Sequence, residues 1–288
     1  MPDYLSSDDL VGTRGMRLTI HRWPVATPKA VVVLIHGYGE HLGRYHHVVA
    51  VLNAHDYAVV GIDNRGHGRS EGRRADVVSF DDFVDDVRAL VQHTREEHPD
   101  LPRFMLGHSL GGLIATRYAL RHQTELAGLI LSGALIQVGG SAPALVRRFA
   151  PVMARVAPTL AVVRPGRPGI LSRDPDVERL FSADPLTYKG RLRARMGYQI
   201  QRAAADVQTR LDRLTLPLLV MHGVDDRMTD PQGSVLVHAL ARSEDKTLIL
   251  WPGLRHEIFN EPERDEVLGR VTQWLDDHAV SVNPTAAP

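Results

Sequence analysis

A serine in a glycine-rich turn is the first candidate for chemistry in this sequence. Ser109 lies in residues 107–111 (GHSLG), between the apolar run 104–106 and a helical pattern that follows. The bare Gly-x-Ser-x-Gly match is weak. A strand before it and a helix after it are, however, what a nucleophile elbow requires, because that bend lifts the hydroxyl out of a sheet. We therefore predict that Ser109 is a nucleophile.

A serine hydroxyl needs a histidine base, and that histidine needs a carboxylate to orient it. In folds with this elbow the order along the chain is Ser, Asp or Glu, then His. Of the 15 histidines, His256 follows a late apolar run at the matching position, and Asp225 and Asp226 follow the apolar run before it. Spacing alone leaves the choice between the two aspartates open.

An acyl-transfer site also needs hydrogen-bond donors for the negative oxygen of the transition state. The residue after the nucleophile, Leu110, supplies one backbone N–H. The loop after an earlier strand supplies the other, and here it reads His36-Gly37-Tyr38-Gly39, so we predict Tyr38. Glycines on both sides of Tyr38 permit its backbone to approach a ligand closely.

The elements that must position these residues follow from hydrophobic periodicity. Short β-branched runs alternate with helical patterns from residue 30 to about 132 and again from residue 218, which is typical of an α/β fold with a mostly parallel central sheet flanked by helices. The predicted strands are 31–35, 58–63, 104–106, 129–132, 218–222 and 247–251, and the predicted helices 80–97 and 263–278.

Between the two halves of this sheet lies a segment rich in Arg, Ala and Pro, in which we find no clear parallel strand. We interpret it as an inserted helical cap. The predicted organisation is a first core segment at residues 1–133, the cap at 134–214 and a second core segment at 215–288. A helix around residues 145–156 has a long apolar stripe with arginines off it. It either packs on the core or borders the substrate entrance and draws lipid from an interface.

Composition excludes several classes of protein. With 34 basic and 34 acidic side chains, the charge balance gives no support to a nucleic-acid partner. The absence of cysteine excludes a cysteine nucleophile and a thiolate metal site. The N-terminal ten residues are polar, unlike a secretory signal, and the apolar runs are too short to span a membrane. We expect a cytoplasmic protein with at most peripheral membrane contact.

Four further segments carry a resemblance to a known family. They are residues 36–45 (HGYGEHLGRY), 63–70 (DNRGHGRS), 171–175 (LSRDP) and 253–261 (GLRHEIFNE), in addition to the elbow. The chain resembles the monoacylglycerol lipases, particularly the actinobacterial members, within the α/β-hydrolase fold. The match extends across nearly the whole chain.

The resemblance implies a serine hydrolase that cleaves monoacylglycerols through an acyl-serine intermediate, without metal or organic cofactor. It favours Asp226, which precedes an arginine, and it implies that Glu40 and Arg44 bind substrate near the glycerol end. Glu40 and Arg44 could equally form a surface ion pair. A second histidine known in the family, three places after the catalytic one, is Phe259 here.

Two alternatives remain open at this point. A broader carboxylesterase or lysophospholipase would use the same scaffold, because cap side chains set specificity and the fold does not fix them. A non-catalytic ligand receptor of the same fold would retain the pocket without needing the triad.

Overall fold

An eight-stranded sheet forms the centre of the computed structural model, which describes residues 9–137, 144–163 and 169–279. The strands of this sheet are β1 Asp9–Val11, β2 Arg17–Trp23, β3 Ala30–Ile35, β4 Tyr57–Ile62, β5 Arg103–His108, β6 Gly128–Ser132, β9 Leu218–Gly223 and β10 Lys246–Trp251. Their order is β1-β2-β4-β3-β5-β6-β9-β10. The pairs β1–β2 and β2–β4 are antiparallel, and the other five pairs are parallel. The α/β-hydrolase architecture with a mostly parallel sheet is thus confirmed.

Helices cover both faces of the sheet, and two more, α4 and α5, belong to the inserted segment. The helices of the described chain are α1 His46–Ala54, α2 Asp81–Glu97, α3 Leu110–His122, α4 Ala144–Val156, α5 Pro175–Ala183, α6 Ala194–Gln208, α7 Pro231–Leu240 and α8 Arg264–Ala279. Alternate residues of β3 enter different cores: Val31 and Val33 pack with α2, α3 and α6, whereas Val32 and Leu34 pack with α1 and α8. Burial on both faces is the reason that the central strands are continuous apolar runs.

The segment between β6 and β9 contains α4, α5 and α6, with α4 packed against α6. The segment also contains a short antiparallel strand pair that was not predicted, β7 Ala161–Val163 and β8 Leu192–Arg193. The predicted set of strands likewise missed β1 and β2. Nowhere in the described residues is there a helix with the length and apolar character needed to cross a membrane.

The start of α3 is packed directly against the end of β3. A Cβ atom placed on Gly111 would collide with the backbone carbonyl oxygens of Ile35 and His36, which cannot move without disturbing the sheet. Gly111 is therefore required for the close approach of the helix and the strand, and that approach fixes where the helix begins.

We expect Gly111→Ala to lower the free energy of unfolding by about 1–3 kcal/mol or more, as overpacking does. The matched control is Gly269→Ala in α8, where an added Cβ meets nothing within 4 Å. Alanine should stabilise that helix by roughly 0.5–1 kcal/mol. Urea denaturation of the two variants measures both effects, and equal stabilities would contradict this account of the packing.

Candidate active site

Ser109 occupies a strained turn between β5 and α3. Its backbone φ is 53° and its ψ is −117°, a left-handed conformation that a residue with a side chain rarely adopts. The turn is held on both sides: Ser109 N–H donates to the Ser132 carbonyl over 3.0 Å, and the Ser109 carbonyl accepts from Leu135 N–H over 3.0 Å. The sequence pattern thus forms the sharp strand-to-helix bend that an elbow needs.

His256 and Asp226 meet at the same edge of the sheet. Asp226 follows β9, His256 follows β10, and His256 Nδ1 lies 2.7 Å from Asp226 Oδ2. Both side chains are buried. Asp225 is exposed, and its backbone N–H donates to the Leu254 carbonyl over 2.9 Å. Of the two aspartates that spacing left open, the structure brings Asp226 to the histidine.

The Asp226 carboxylate is surrounded by donors. Oδ1 accepts the backbone N–H groups of Met228 at 2.7 Å and Thr229 at 3.0 Å. Oδ2 also contacts the Thr229 hydroxyl at 2.7 Å and His222 Nε2 at 3.0 Å. Although burial opposes ionisation, His256 and these donors hold the pKa of Asp226 well below its usual range. Asp226 is consequently ionised at neutral pH.

The charge of Asp226 acts in turn on His256. Burial lowers the pKa of the imidazole, but the adjacent carboxylate and its hydrogen bond outweigh burial and leave that pKa above its ordinary value of 6.5. A second histidine, His108, has its ring centre 4.8 Å from that of His256. Burial and the neighbouring His256 lower the pKa of His108 to about 4, so His108 remains neutral where His256 titrates.

The two predicted oxyanion donors lie next to Ser109, one at the start of α3 and the other on the loop after β3. Leu110 is the first residue of α3, so its N–H is among those that have no acceptor within the helix. The Tyr38 loop approaches from the other side: a Cβ on Gly37 would lie 3.2 Å from Ser109 Cβ. Gly39, on the far side of Tyr38, has a φ of 77°. The loop is therefore shaped for close backbone approach to the nucleophile.

A cavity of about 500 Å³ opens over Ser109 and His256. From the core it is lined by the sequence-predicted residues Tyr38, Glu40 and Arg44. Cap residues close the opposite side, and the sequence analysis gave none of them a role in the site: they include Ile170, Leu171, Glu178, Phe181, Tyr188 and Lys189. Leu171 begins the segment 171–175 that carries the family resemblance, and the sequence signal of the others is their position in the inserted segment. Of the described residues that line the cavity, none belongs to α4.

Glu40 and Arg44 form a buried ion cluster, so the interpretation of them as a surface pair is wrong. Arg44 Nη1 lies 2.6 Å from Glu40 Oε2, and the guanidinium also makes a bidentate contact with Glu257 at 2.9 and 2.8 Å. The Tyr45 hydroxyl donates to Glu40 over 2.7 Å. Despite its burial, Glu40 has a pKa lowered to about 2, chiefly by Arg44. Sequence reasoning missed Glu257, although it is adjacent to His256.

Phe259 lies outside this cluster, buried in the core beneath α8, and its carbonyl accepts a hydrogen bond from His47 at 2.8 Å. Position 259 therefore contributes no side chain to the Arg44 cluster. Within the stretches of chain that the structure describes, no three His, Cys, Asp or Glu side chains are grouped so as to hold a metal ion.

Comparison with known proteins gives consistent matches over most of the chain. The family model described as serine aminopeptidase, S33, matches residues 26–263. A monoacylglycerol lipase of Mycolicibacterium smegmatis is 40% identical over 95% of this chain and 98% of its own. The human monoglyceride lipase is 34% identical over 99% and 95%. The crystal structure of the Paleococcus ferrophilus monoacylglycerol lipase has a TM-score of 0.82 at 30% identity, covering 91% and 99%.

We expect Asp226→Asn to cost far more activity than Asp225→Asn. An amide fills the space but cannot stabilise the imidazolium, a loss of about 10⁴ in kcat in the serine protease precedent.

The pH profile of kcat/KM adds a second measurement, because a general base must be neutral to accept a proton and His256 is the predicted base. Since the pKa of His256 is raised, wild-type activity should fall on acidification from a pH above 6.5. In Asp226→Asn the raising charge is absent and burial remains, so the acid limb of the residual activity should move to lower pH.

Asp225→Asn is the matched control and should keep both the wild-type rate and the wild-type acid limb. A larger loss in Asp225→Asn than in Asp226→Asn would show that the wrong carboxylate was assigned.

Proposed function

The chain belongs to the monoacylglycerol lipase family of α/β-hydrolases, and from this premise we propose that it hydrolyses monoacylglycerols to glycerol and free fatty acid. In this proposal Ser109 is the nucleophile, His256 the general base and Asp226 the residue that orients and charges His256. The observation that carries the proposal is the cavity over Ser109, which has a buried polar cluster and an apolar wall in one enclosure.

The proposed reaction has two halves. His256 takes the Ser109 proton as the serine oxygen attacks the ester carbon, and the carbonyl oxygen becomes negative. The N–H groups of Tyr38 and Leu110 then donate to that oxygen. As the carbon–oxygen bond of the alcohol breaks, His256 returns the proton to the leaving glycerol. A water molecule, deprotonated by His256, next attacks the acyl-serine. The bond between the acyl carbon and the Ser109 oxygen breaks, His256 returns the proton to that oxygen, and the fatty acid leaves.

The lining of the cavity suits a neutral polyol ester. Ile170, Leu171 and Phe181 supply apolar surface for an acyl chain. Arg44 is held by Glu40 and Glu257, and the remaining lone pairs of these carboxylates can accept hydrogen bonds from glycerol hydroxyls. We therefore propose that Glu40 and Arg44 form the glycerol end of the site.

The charged side chains of the cavity lining distinguish this proposal from the lysophospholipase alternative. Among the residues that the structure describes, three carboxylates line the cavity, those of Glu40, Glu178 and Glu257, together with the two cations Arg44 and Lys189. Arg44 is already paired with two of the carboxylates. A phosphodiester headgroup would bring another negative charge beside them, which costs free energy in a buried site. The lining thus favours an uncharged glycerol headgroup.

A substrate panel tests the proposed function. We expect kcat/KM for a 1- or 2-monoacylglycerol to exceed that for a lysophospholipid of the same acyl chain by roughly 10- to 150-fold. The lysophospholipid lacks one of the two free glycerol hydroxyls, and a hydrogen bond to a carboxylate is worth about 1.5–3 kcal/mol. Ser109→Ala should abolish turnover of every ester while retaining the fold, and a fluorophosphonate probe should label wild type only.

Equal kcat/KM for both lipids would favour the broader esterase. Wild type that neither turns over esters nor reacts with the probe would favour a non-catalytic receptor.

We propose in addition that the cap makes weak contact with lipid surfaces through α4. Phe149, Val152 and Val156 are 50%, 55% and 76% exposed. Arg148 and Arg155 are exposed on the same helix. Each basic residue close to an anionic membrane contributes roughly 1 kcal/mol, and exposed apolar side chains add insertion energy. The net charge of zero for the whole chain keeps such contact reversible.

We expect the double variant Phe149→Ser and Val152→Ser to raise KM for long-chain monoacylglycerol about tenfold, because two half-exposed apolar side chains would no longer enter the lipid, at roughly 0.8 kcal/mol per buried methylene. KM for a soluble short-chain ester should stay unchanged. Val78→Ser is the control, since Val78 is also 55% exposed but lies outside the cap. Equal losses on both substrates, with a lower Tm, would identify these residues as ordinary packing.

A further inference from the structure

We propose that His222, supported by Ser234, is a positioning residue that fixes the Asp226 carboxylate for its work on His256. The inference rests on the proposed triad and adds to it a second histidine that touches the same carboxylate oxygen. Neither the position of His222 at the end of β9 nor that of Ser234 in α7 carried any predicted role.

The geometry is a buried chain of four side chains. Ser234 Oγ lies 2.7 Å from His222 Nδ1, His222 Nε2 lies 3.0 Å from Asp226 Oδ2, and the same Oδ2 lies 2.7 Å from His256 Nδ1. His222 and Ser234 are both fully buried. Asp226 therefore has an imidazole on each side, one facing the cavity and one facing the interior of the fold.

The proton positions follow from the chemistry of the groups. An ionised carboxylate only accepts hydrogen bonds, so the nitrogen of His222 that faces Asp226 must carry a proton. In a neutral imidazole the other nitrogen is then an acceptor, and the Ser234 hydroxyl can donate to it. Ser234 thus favours the tautomer of His222 that donates to Asp226, as partners of ligating histidines do in metal sites.

This arrangement differs from passive core filling. A buried imidazole with both nitrogens bonded is costly to assemble, and an aliphatic side chain would fill the same space. Its effect falls on Oδ2, which also contacts the Thr229 hydroxyl at 2.7 Å. With Oδ1 held by two backbone amides, the donors on Oδ2 prevent the carboxylate from rotating away from His256.

A donor on Asp226 also moderates its charge. When His222 donates to Oδ2, part of the negative charge is stabilised there, and less of it acts on the His256 proton. Removing that donor should therefore raise the pKa of His256 and shift the acid limb of kcat/KM to higher pH. The other titratable groups facing His256 are His108, Glu40 and Glu257, and all of them stay in place.

The test compares His222→Leu, which cannot donate, with His222→Gln, whose amide N–H₂ can. We expect His222→Leu to lose about tenfold or more in kcat/KM on the plateau, since hydrogen bonds to charged groups are worth that much, and to shift the acid limb upward. His222→Gln should keep most of the rate and the wild-type limb. His238→Leu, a half-buried histidine one turn along α7 from Ser234, is the control for the chemical change and should match wild type.

An acid limb in His222→Leu that coincides with wild type would overturn the proposal, whatever its rate, because a merely structural residue lowers activity without moving the limb. A limb in His222→Gln displaced as far as that of His222→Leu would overturn it as well. The variant Asp226→Asn tests the triad separately. A shift of its acid limb to lower pH would show that Asp226 raises the pKa of His256, whatever the role of His222.

A measurement on wild-type protein decides the case if His222→Leu fails to fold. Nitrogen-15 spectra of protein with labelled histidines, assigned by difference from His222→Gln, report which ring nitrogen of His222 carries the proton. A proton on Nε2 with a bare Nδ1 supports the proposal. A bare Nε2 would contradict it, because no donor would then face Asp226.

Discussion

The parallel register of β5, β6, β9 and β10 is the constraint on which the candidate site depends. These strands are hydrogen-bonded neighbours in that order, so their carboxyl ends lie along one edge. Ser109 follows β5, Asp226 follows β9 and His256 follows β10. Leu129 of β6 pairs directly with Leu218 of β9, although the inserted segment separates them in sequence. The insertion therefore leaves the pairing of the strands undisturbed, because β6 and β9 are hydrogen-bonded to each other despite it.

The buried charges at this edge are tolerated because each has a partner. An isolated ion in the interior would be neutralised or would unfold the site, but Asp226 has donors on both oxygens and Arg44 is bonded by two carboxylates. Such clusters add little net stability. Their effect is to hold side chains in one geometry. Here the Asp226 cluster fixes the proposed base His256, and the Arg44 cluster fixes the polar part of the cavity lining.

Much of this fold was predictable from the sequence, for a physical reason. Strands buried on both faces are continuous apolar runs, and each end of the central strands was predicted to within two residues. β2 was missed although its first five residues alternate polar and apolar side chains, because the predicted strands were continuous apolar runs and Arg17–Trp23 contains none. β8 has two residues and no periodicity to detect. Spacing alone could not decide between Asp225 and Asp226, because the choice depends on the direction in which each side chain points. The contact of Arg44 with Glu257 was not predicted because it joins residues 213 positions apart in the sequence.

Chemistry and selectivity are held by different regions of the chain. The proposed reacting groups follow strand ends whose neighbours are fixed by backbone hydrogen bonds, whereas the apolar wall of the cavity comes from the inserted segment. That segment is fastened to the core by a few polar contacts beside the site: Tyr188 N–H to the Gly39 carbonyl at 2.8 Å, His41 Nε2 to Asp184 Oδ2 at 2.8 Å, and Glu257 N–H to the Leu171 carbonyl at 2.8 Å. Gly39 adjoins Tyr38 and Glu257 adjoins His256. A displacement of the segment relative to the core would therefore move residues directly adjacent to Tyr38 and His256. The cap residues that contact the substrate are thus structurally coupled to the proposed oxyanion loop and the proposed base.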